Sequence, residues 1–129
     1  MTELQLDGPD AFRAWLREND DSATEAWLIL AKKGASFTTI TYAEAVEVAL
    51  EHGWIDTKAL RRDEETYLQR FTPRAKRSPW SETNQALVTA KTAAGTMAPR
   101  GLAEVERAKT DGRWGPSALK PSTRKPSSD

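Results

Sequence analysis

The segment TYAEAVEVALEHG, residues 41–53, carries both its own start and its own stop, which limits what can surround it. Thr41 followed three residues later by Glu44 forms a capping box, in which each side chain answers a free backbone N–H of the first helical turn. Gly53 suits the left-handed residue that ends a helix, because it has no Cβ to resist a positive φ. Between them Tyr42, Ala45, Val46, Ala49 and Leu50 recur at helical spacing and form an expected buried stripe. Directly after the stop the period changes. WIDTKALR and ETYLQRFT alternate as strands around RDEE, which lacks the Gly of a two-residue turn, so a slightly longer loop is expected.

Alternation places Trp54, Asp56, Lys58 and Leu60 on one face of the first strand, and Ile55, Thr57 and Ala59 on the other. On the second strand Leu68 opposes Tyr67 and Phe71. Apolar residues thus fall on both faces, and the sheet is expected to be partly covered on both sides.

The flanking segments complete the outline. DGPDAFRAWLREN predicts a helix capped by Asp7 or Gly8, with Pro9 in its first turn and Phe12, Trp15 and Leu16 on one face. EAWLILAKK predicts a strand from Glu25 to Lys32. Ser81 caps an expected helix through about Ala94, with Ala86, Leu87 and Ala90 inward and Gly95 as its stop. TMAPRGLAEVERAKTDG predicts a last helix with Pro99 in its first turn and Leu102, Val105 and Ala108 facing the core, after which Trp114 folds back as a plug. The fold class is α+β: a small antiparallel sheet of about three strands with about four packed helices. A single domain is expected over residues 1–114, followed by a disordered, basic, Pro/Ser-rich tail over 115–129.

With 129 residues and an apolar fraction of 38%, the chain can bury a modest core, and five tryptophans compensate for few aliphatics. The absence of cysteine removes thiol nucleophiles, cysteine zinc sites and disulfides together. MTELQLDGPD has no basic start leading into an apolar run, so no signal peptide is expected. No stretch approaches the roughly 20 apolar residues that span a bilayer. A cytoplasmic location and no membrane span are the expectation.

Nineteen basic and nineteen acidic residues cancel, which disfavours nucleic acid as a partner. The charge is nevertheless uneven. From Lys58 to Arg77 seven basic residues meet three acidic ones, an excess of four, and the rest of the chain carries the opposite excess. Such a basic hairpin can attract an anion locally.

Nucleophile and metal patterns are thin. His52 is the only histidine, so two-histidine metal sites are excluded, and at a helix end the ring reads first as a partner for terminal carbonyls. No glycine-rich phosphate loop, paired-carboxylate spacing or metal-ligand cluster is present, and no cofactor is expected. Arginines on a hairpin, joined by TPR to a Ser-capped helix start, are the parts of an anion site. Guanidinium forks bind carboxylate or phosphate bidentately, and helix-start N–H groups add partial positive charge. The candidate ligand-binding residues are Trp54, Asp56, Arg70, Thr72, Arg74, Trp80, Ser81 and Asn84. The plainer reading pairs Asp63, Glu64 and Glu65 with Arg61, Arg62 and Lys58 as surface ion pairs of little worth, and leaves Trp80, Ser81 and Asn84 as core and cap.

WLILAKKG, ITYAEAVEVALEHGWIDTK, RFTPR, SPWSETN and GTMAPRGLAEVERAKTDGRW, in this order, resemble the bacterial YdeI/OmpD-associated family, labelled bacteriocin-protection proteins. The resemblance covers roughly Trp15 to Trp114. It implies a part in tolerance of bacteriocins or cationic antimicrobial peptides, and it transfers no catalytic residue. Asp20 stands where members of that family often carry histidine. A neutral chain whose strongest charge cluster is basic does not suit direct capture of cationic peptides, so any protection is expected to be indirect. The expected partners are a small anionic ligand or an acidic protein surface. The alternative expectation is an enzyme acting on a phosphorylated or carboxylated small molecule, with Asp56 as base and the arginines as clamp.

Overall fold

The computed structural model describes residues 2–75 and 80–115; Lys76 and Arg77 of the basic run and the tail after Gly115 lie outside the described residues. In chain order the elements are β1 (Glu3–Leu4), α1 (Pro9–Asn19), β2 (Ala26–Ala31), α2 (Tyr42–Glu51), β3 (Trp54–Arg61), β4 (Thr66–Pro73), α3 (Glu82–Ala94) and α4 (Pro99–Thr110). The class is α+β, with four helices and one sheet among the described residues.

Local signals set most boundaries. The capping box closes both ways: Glu44 N–H donates to Thr41 Oγ1 at 3.1 Å and Thr41 N–H to Glu44 Oε1 at 3.0 Å. Gly53 takes φ +73 and turns the chain straight into β3. Asp63 shapes the hairpin loop, accepting at Oδ1 from the backbone N–H groups of Glu65 and Thr66. An Asp bonding backbone two and three residues ahead does here what glycine does in a tighter turn.

The sheet is mixed and four-stranded, in the order β1-β2-β4-β3, rather than an antiparallel three. The added strand is β1, which pairs parallel with β2 as Glu3 opposite Trp27 and Leu4 opposite Leu28. Two residues are too few to show a period, so tertiary pairing alone defines them.

A register shift between Asp56 and Lys58 makes Thr57 an extra residue in β3. Cross-strand partners share a face. Asp56 opposes Phe71, whereas Lys58 opposes Arg70 and Leu60 opposes Leu68. The bulge therefore breaks the expected alternation: Trp54 and Asp56 lie on the helix-covered face, and Lys58 and Leu60 on the other.

The main core joins α1 and α2 to the sheet through Phe12, Leu16, Leu28, Leu30, Val48 and Phe71. A second cluster gathers Leu50, Trp80, Val88, Val105 and Ala108, with Trp114 packed against it as the expected plug. The opposite sheet face carries the small cluster Trp27, Ile29 and Leu68, so apolar side chains are buried on both faces.

The expected helix faces needed three corrections. Tyr42 is exposed while Val48 is fully buried. In α3, Ala86 and Ala90 face solvent, and Val88 and Lys91 turn inward. Lys91 bonds Glu51 at 2.7 Å, which sets the rotation of the helix. Leu102 of α4 is exposed, whereas Gly101 and Glu104 join Val105 and Ala108 on the inner side. No helix among the described residues is long and apolar enough to cross a membrane.

Candidate functional site

A cleft of about 1000 Å³ lies where α1, the end of α2 and the start of α4 meet. Arg13 and Arg17 come from α1 four residues apart, a spacing that puts both on one helix face. Asp20 and Asp21 follow in the turn after α1, His52 ends α2, and Arg100 is the second residue of α4.

The position of α4 rests on close backbone contact. Ala98 N–H donates to Glu51 C=O at 3.0 Å, and a Cβ on Gly101 would come within 2.0 Å of that same oxygen. Only glycine lets the first turn of α4 sit on the end of α2. That turn has Pro99 at its start and no side-chain cap, and Ala98, Pro99 and Arg100 all line the cleft.

Glu51 anchors the floor. Its carboxylate is 1% exposed and accepts from Arg13 Nε at 2.9 Å, Arg13 Nη2 at 3.0 Å and Lys91 Nζ at 2.7 Å. Burial alone would raise this carboxyl, but the bonds from Arg13 and Lys91 outweigh it and hold the pKa below the usual carboxylate range. Arg13 is raised in turn, mainly by its bond to Glu51.

The other cleft groups are less committed. Arg100 reaches Asp21 through Nη1 at a long 3.3 Å, and Asp21 is 85% exposed, so the pair contributes little. Arg100 Nε is buried with no partner among the described residues. Arg17 lies exposed on the rim and makes no ion pair among the described residues. His52 does not bond the helix-terminal carbonyls as the sequence suggests. Its Nδ1 lies 2.7 Å from Asp20 Oδ2, with both side chains largely buried. Among the described residues no group of three or more His, Asp or Glu side chains is placed to hold a metal ion.

The sequence-derived candidates are distributed elsewhere. Arg70 donates from Nε to Glu25 at 2.8 Å and lies over the Trp27 ring at 6.0 Å, on the sheet face away from α1 and α2. Thr72 lies half-buried opposite Ile55 on the same face as Arg70. Arg74 is 6% exposed and stacks on Trp80 at 3.9 Å; burial pushes its guanidinium down to about 10, against the pull of Glu104. Trp54 is buried edge-on to Trp15, and its indole N–H has no partner among the described residues. Trp80 packs against Trp114. Ser81 caps α3 by accepting from the Asn84 backbone N–H at 3.1 Å. The structure thus brings Arg74 to Trp80 and Ser81 to Asn84, and it sends Arg70 and Asp56 to other neighbours.

Asp56 accepts from the Tyr42 hydroxyl at 2.6 Å, and that bond pushes the Tyr42 phenol up to about 12. A raised folded pKa means a contribution to stability that is whole below the ordinary phenol value near 10 and is lost as pH rises through about 12. In Asp56→Asn, a spectrophotometric titration is expected to show Tyr42 ionising close to the ordinary value. If both proteins ionise Tyr42 alike, the bond does not persist in solution.

Sequence reasoning missed the cleft because its residues lie up to 90 positions apart, from Arg13 to Ala103. Two local signals were available: the Arg13–Arg17 spacing, and an acidic Glu51 in the last turn of α2, where the helix dipole disfavours negative charge unless an outside cation answers it.

A family model described as "Domain of unknown function (DUF8412)" matches residues 4–104. No curated protein and no solved structure matches the chain. The matched segment is well over half of the 129 residues and contains every residue that lines the cleft. The chain therefore belongs to the DUF8412 family.

Proposed function

We propose that the protein binds a small anionic ligand, a carboxylate or phosphate compound, in the cleft between α1, the end of α2 and the start of α4. The observation that carries this reading is the pair of weakly committed arginines, Arg17 and Arg100, on one cleft with the uncapped start of α4. The acidic groups do not cancel them. Glu51 is held by Arg13 and Lys91, Asp20 is turned to His52 by a hydrogen bond, and exposed Asp21 can be displaced from Arg100 by a ligand. Guanidinium forks and helix-start N–H groups supply the donors that such an anion needs. The hairpin arginines name the same ligand chemistry at a second location. A role in stress or antimicrobial-peptide tolerance, implied by the YdeI/OmpD-associated resemblance, would act indirectly, through the bound ligand.

A thermal-shift panel of inorganic phosphate, citrate, sugar phosphates and nucleotides tests the reading. A ligand at a hundred times its Kd adds about 2.7 kcal/mol of stability. For a domain of this size that is a shift on the order of 10 °C. The shift is expected to disappear in the double variant Arg17→Ala, Arg100→Ala and to survive Arg70→Ala. The reverse pattern would move the ligand to the hairpin, and a flat panel would reject anion binding.

A further inference from the structure

The His52–Asp20 pair has a part in the cleft that charge alone does not explain. Both side chains are largely buried, at 9% and 13% exposed, and the pair spans 2.7 Å between Nδ1 and Oδ2. Its two residues are 32 positions apart, so the pair exists only because the turn after α1 meets the end of α2. A carboxylate is acceptor-only, so the imidazole must present N–H at Nδ1. In the neutral ring that leaves Nε2 with a lone pair and no proton. Among the described residues no hydrogen bond reaches Nε2, and the ring lines the cleft. The other ligand-facing groups already named, Arg17, Arg100 and the start of α4, are all donors.

Resting on the anion-binding reading above, we propose that His52 is the acceptor of this site and selects small anions that also carry a hydroxyl group, the class of hydroxy acids and sugar phosphates. The anionic group meets the arginines, and the hydroxyl donates to Nε2. Asp20 is a positioning residue: it holds the proton on Nδ1 and so keeps Nε2 free to accept. A ligand lacking the hydroxyl leaves this acceptor without a ligand partner, and binding loses that hydrogen bond. The charged side chains that line the cleft beside the pair, Arg13, Arg17, Asp21, Glu51 and Arg100, are unchanged between two ligands that differ only in that hydroxyl.

Matched pairs of ligands test this on the full chain: malate against succinate, and 2-hydroxypropyl phosphate against propyl phosphate. The hydroxylated member of at least one pair is expected to bind about tenfold more tightly, a difference of one good hydrogen bond. Because His52 is the only histidine, its ring nitrogens can be followed in nitrogen-15 NMR without assignment. The free protein is expected to show the proton on Nδ1, and the hydroxylated ligand is expected to shift Nε2. Asp20→Asn, whose amide can donate to Nδ1, is expected to move the proton to Nε2 in the nitrogen-15 spectrum and to reduce the preference for the hydroxylated member of each pair. Equal binding within both pairs overturns the role of His52 and leaves the anion reading intact. A proton found on Nε2 in the wild-type protein overturns it independently of any ligand. If no member of either pair binds, the anion reading itself fails and takes this inference with it.

Discussion

Gly101→Ala is expected to lower the melting temperature by roughly 8–16 °C, corresponding to about 2–4 kcal/mol at roughly 4 °C per kcal/mol. Two effects oppose each other. Alanine is the better helix former by about 1 kcal/mol, and Gly101 lies within α4, so propensity alone predicts a more stable protein. Sterics act the other way and win. The new Cβ would lie 2.0 Å from Glu51 O and 2.7 Å from Glu51 C, which are backbone atoms that no rotamer change can move aside. Helix α4 must lift from the end of α2, losing the Ala98–Glu51 bond and opening the cleft at Arg100. Gly95→Ala is the control. Gly95, unlike Gly101, takes a positive φ, +76, and nothing lies within 4 Å of its Cβ direction, so that variant feels backbone strain alone, at about 1 kcal/mol. Calorimetry of the two variants separates the terms. Equal melting temperatures for Gly101→Ala and wild type would mean that α4 is not docked on α2 in solution.

What could be read from the chain was set by how local its cause is. The capping box at Thr41, the stop at Gly53 and the Ser81 cap act within three or four residues, so α2, β3 and the start of α3 were legible. The Thr57 bulge was not, because register depends on where Phe71 and Arg70 lie on the partner strand. Nor was the rotation of α3, which Glu51 sets from another helix through Lys91. The expected site was a run of basic residues close in sequence. The fold separates that run, turning Arg70 to Glu25 and burying Arg74 on Trp80. The cleft has the opposite character: it is scattered in sequence and assembled by packing, so only the Arg13–Arg17 spacing and Glu51 at the wrong end of a helix dipole hinted at it.

Glu51→Gln is expected to destabilise the protein by about 2–4 kcal/mol near neutral pH. Removing one partner of a buried ion pair costs about 3–5 kcal/mol when the other charge is left unanswered. The lower figure applies here because the stranded cations have somewhere to turn. Arg13 is one-third exposed and keeps Asp10 at 2.9 Å, and Lys91 has Glu47 at 3.5 Å. The loss should depend on pH, and its sign follows from the direction of the shift. Glu51 has a folded pKa below its unfolded value, so its contribution is present above the usual carboxylate range and is lost as pH falls through the folded value. The gap between wild type and Glu51→Gln should therefore be wide at neutral pH, begin to narrow as pH falls below the ordinary glutamate value, and close only below the lowered folded value. A second variant separates the ion pair from the shape of the site. Replacing Glu51 and Lys91 together with methionine removes the carboxylate and its more buried cation, leaves Arg13 to Asp10, and roughly keeps the volume, and it is expected to recover most of the lost stability. If the double variant is as unstable as Glu51→Gln, or if the gap does not narrow in acid, the carboxylate is not the group that ties α1, α2 and α3 together. Denaturant titrations of the three proteins across pH decide this, and they also show whether the floor of the cleft is held by charge or by packing.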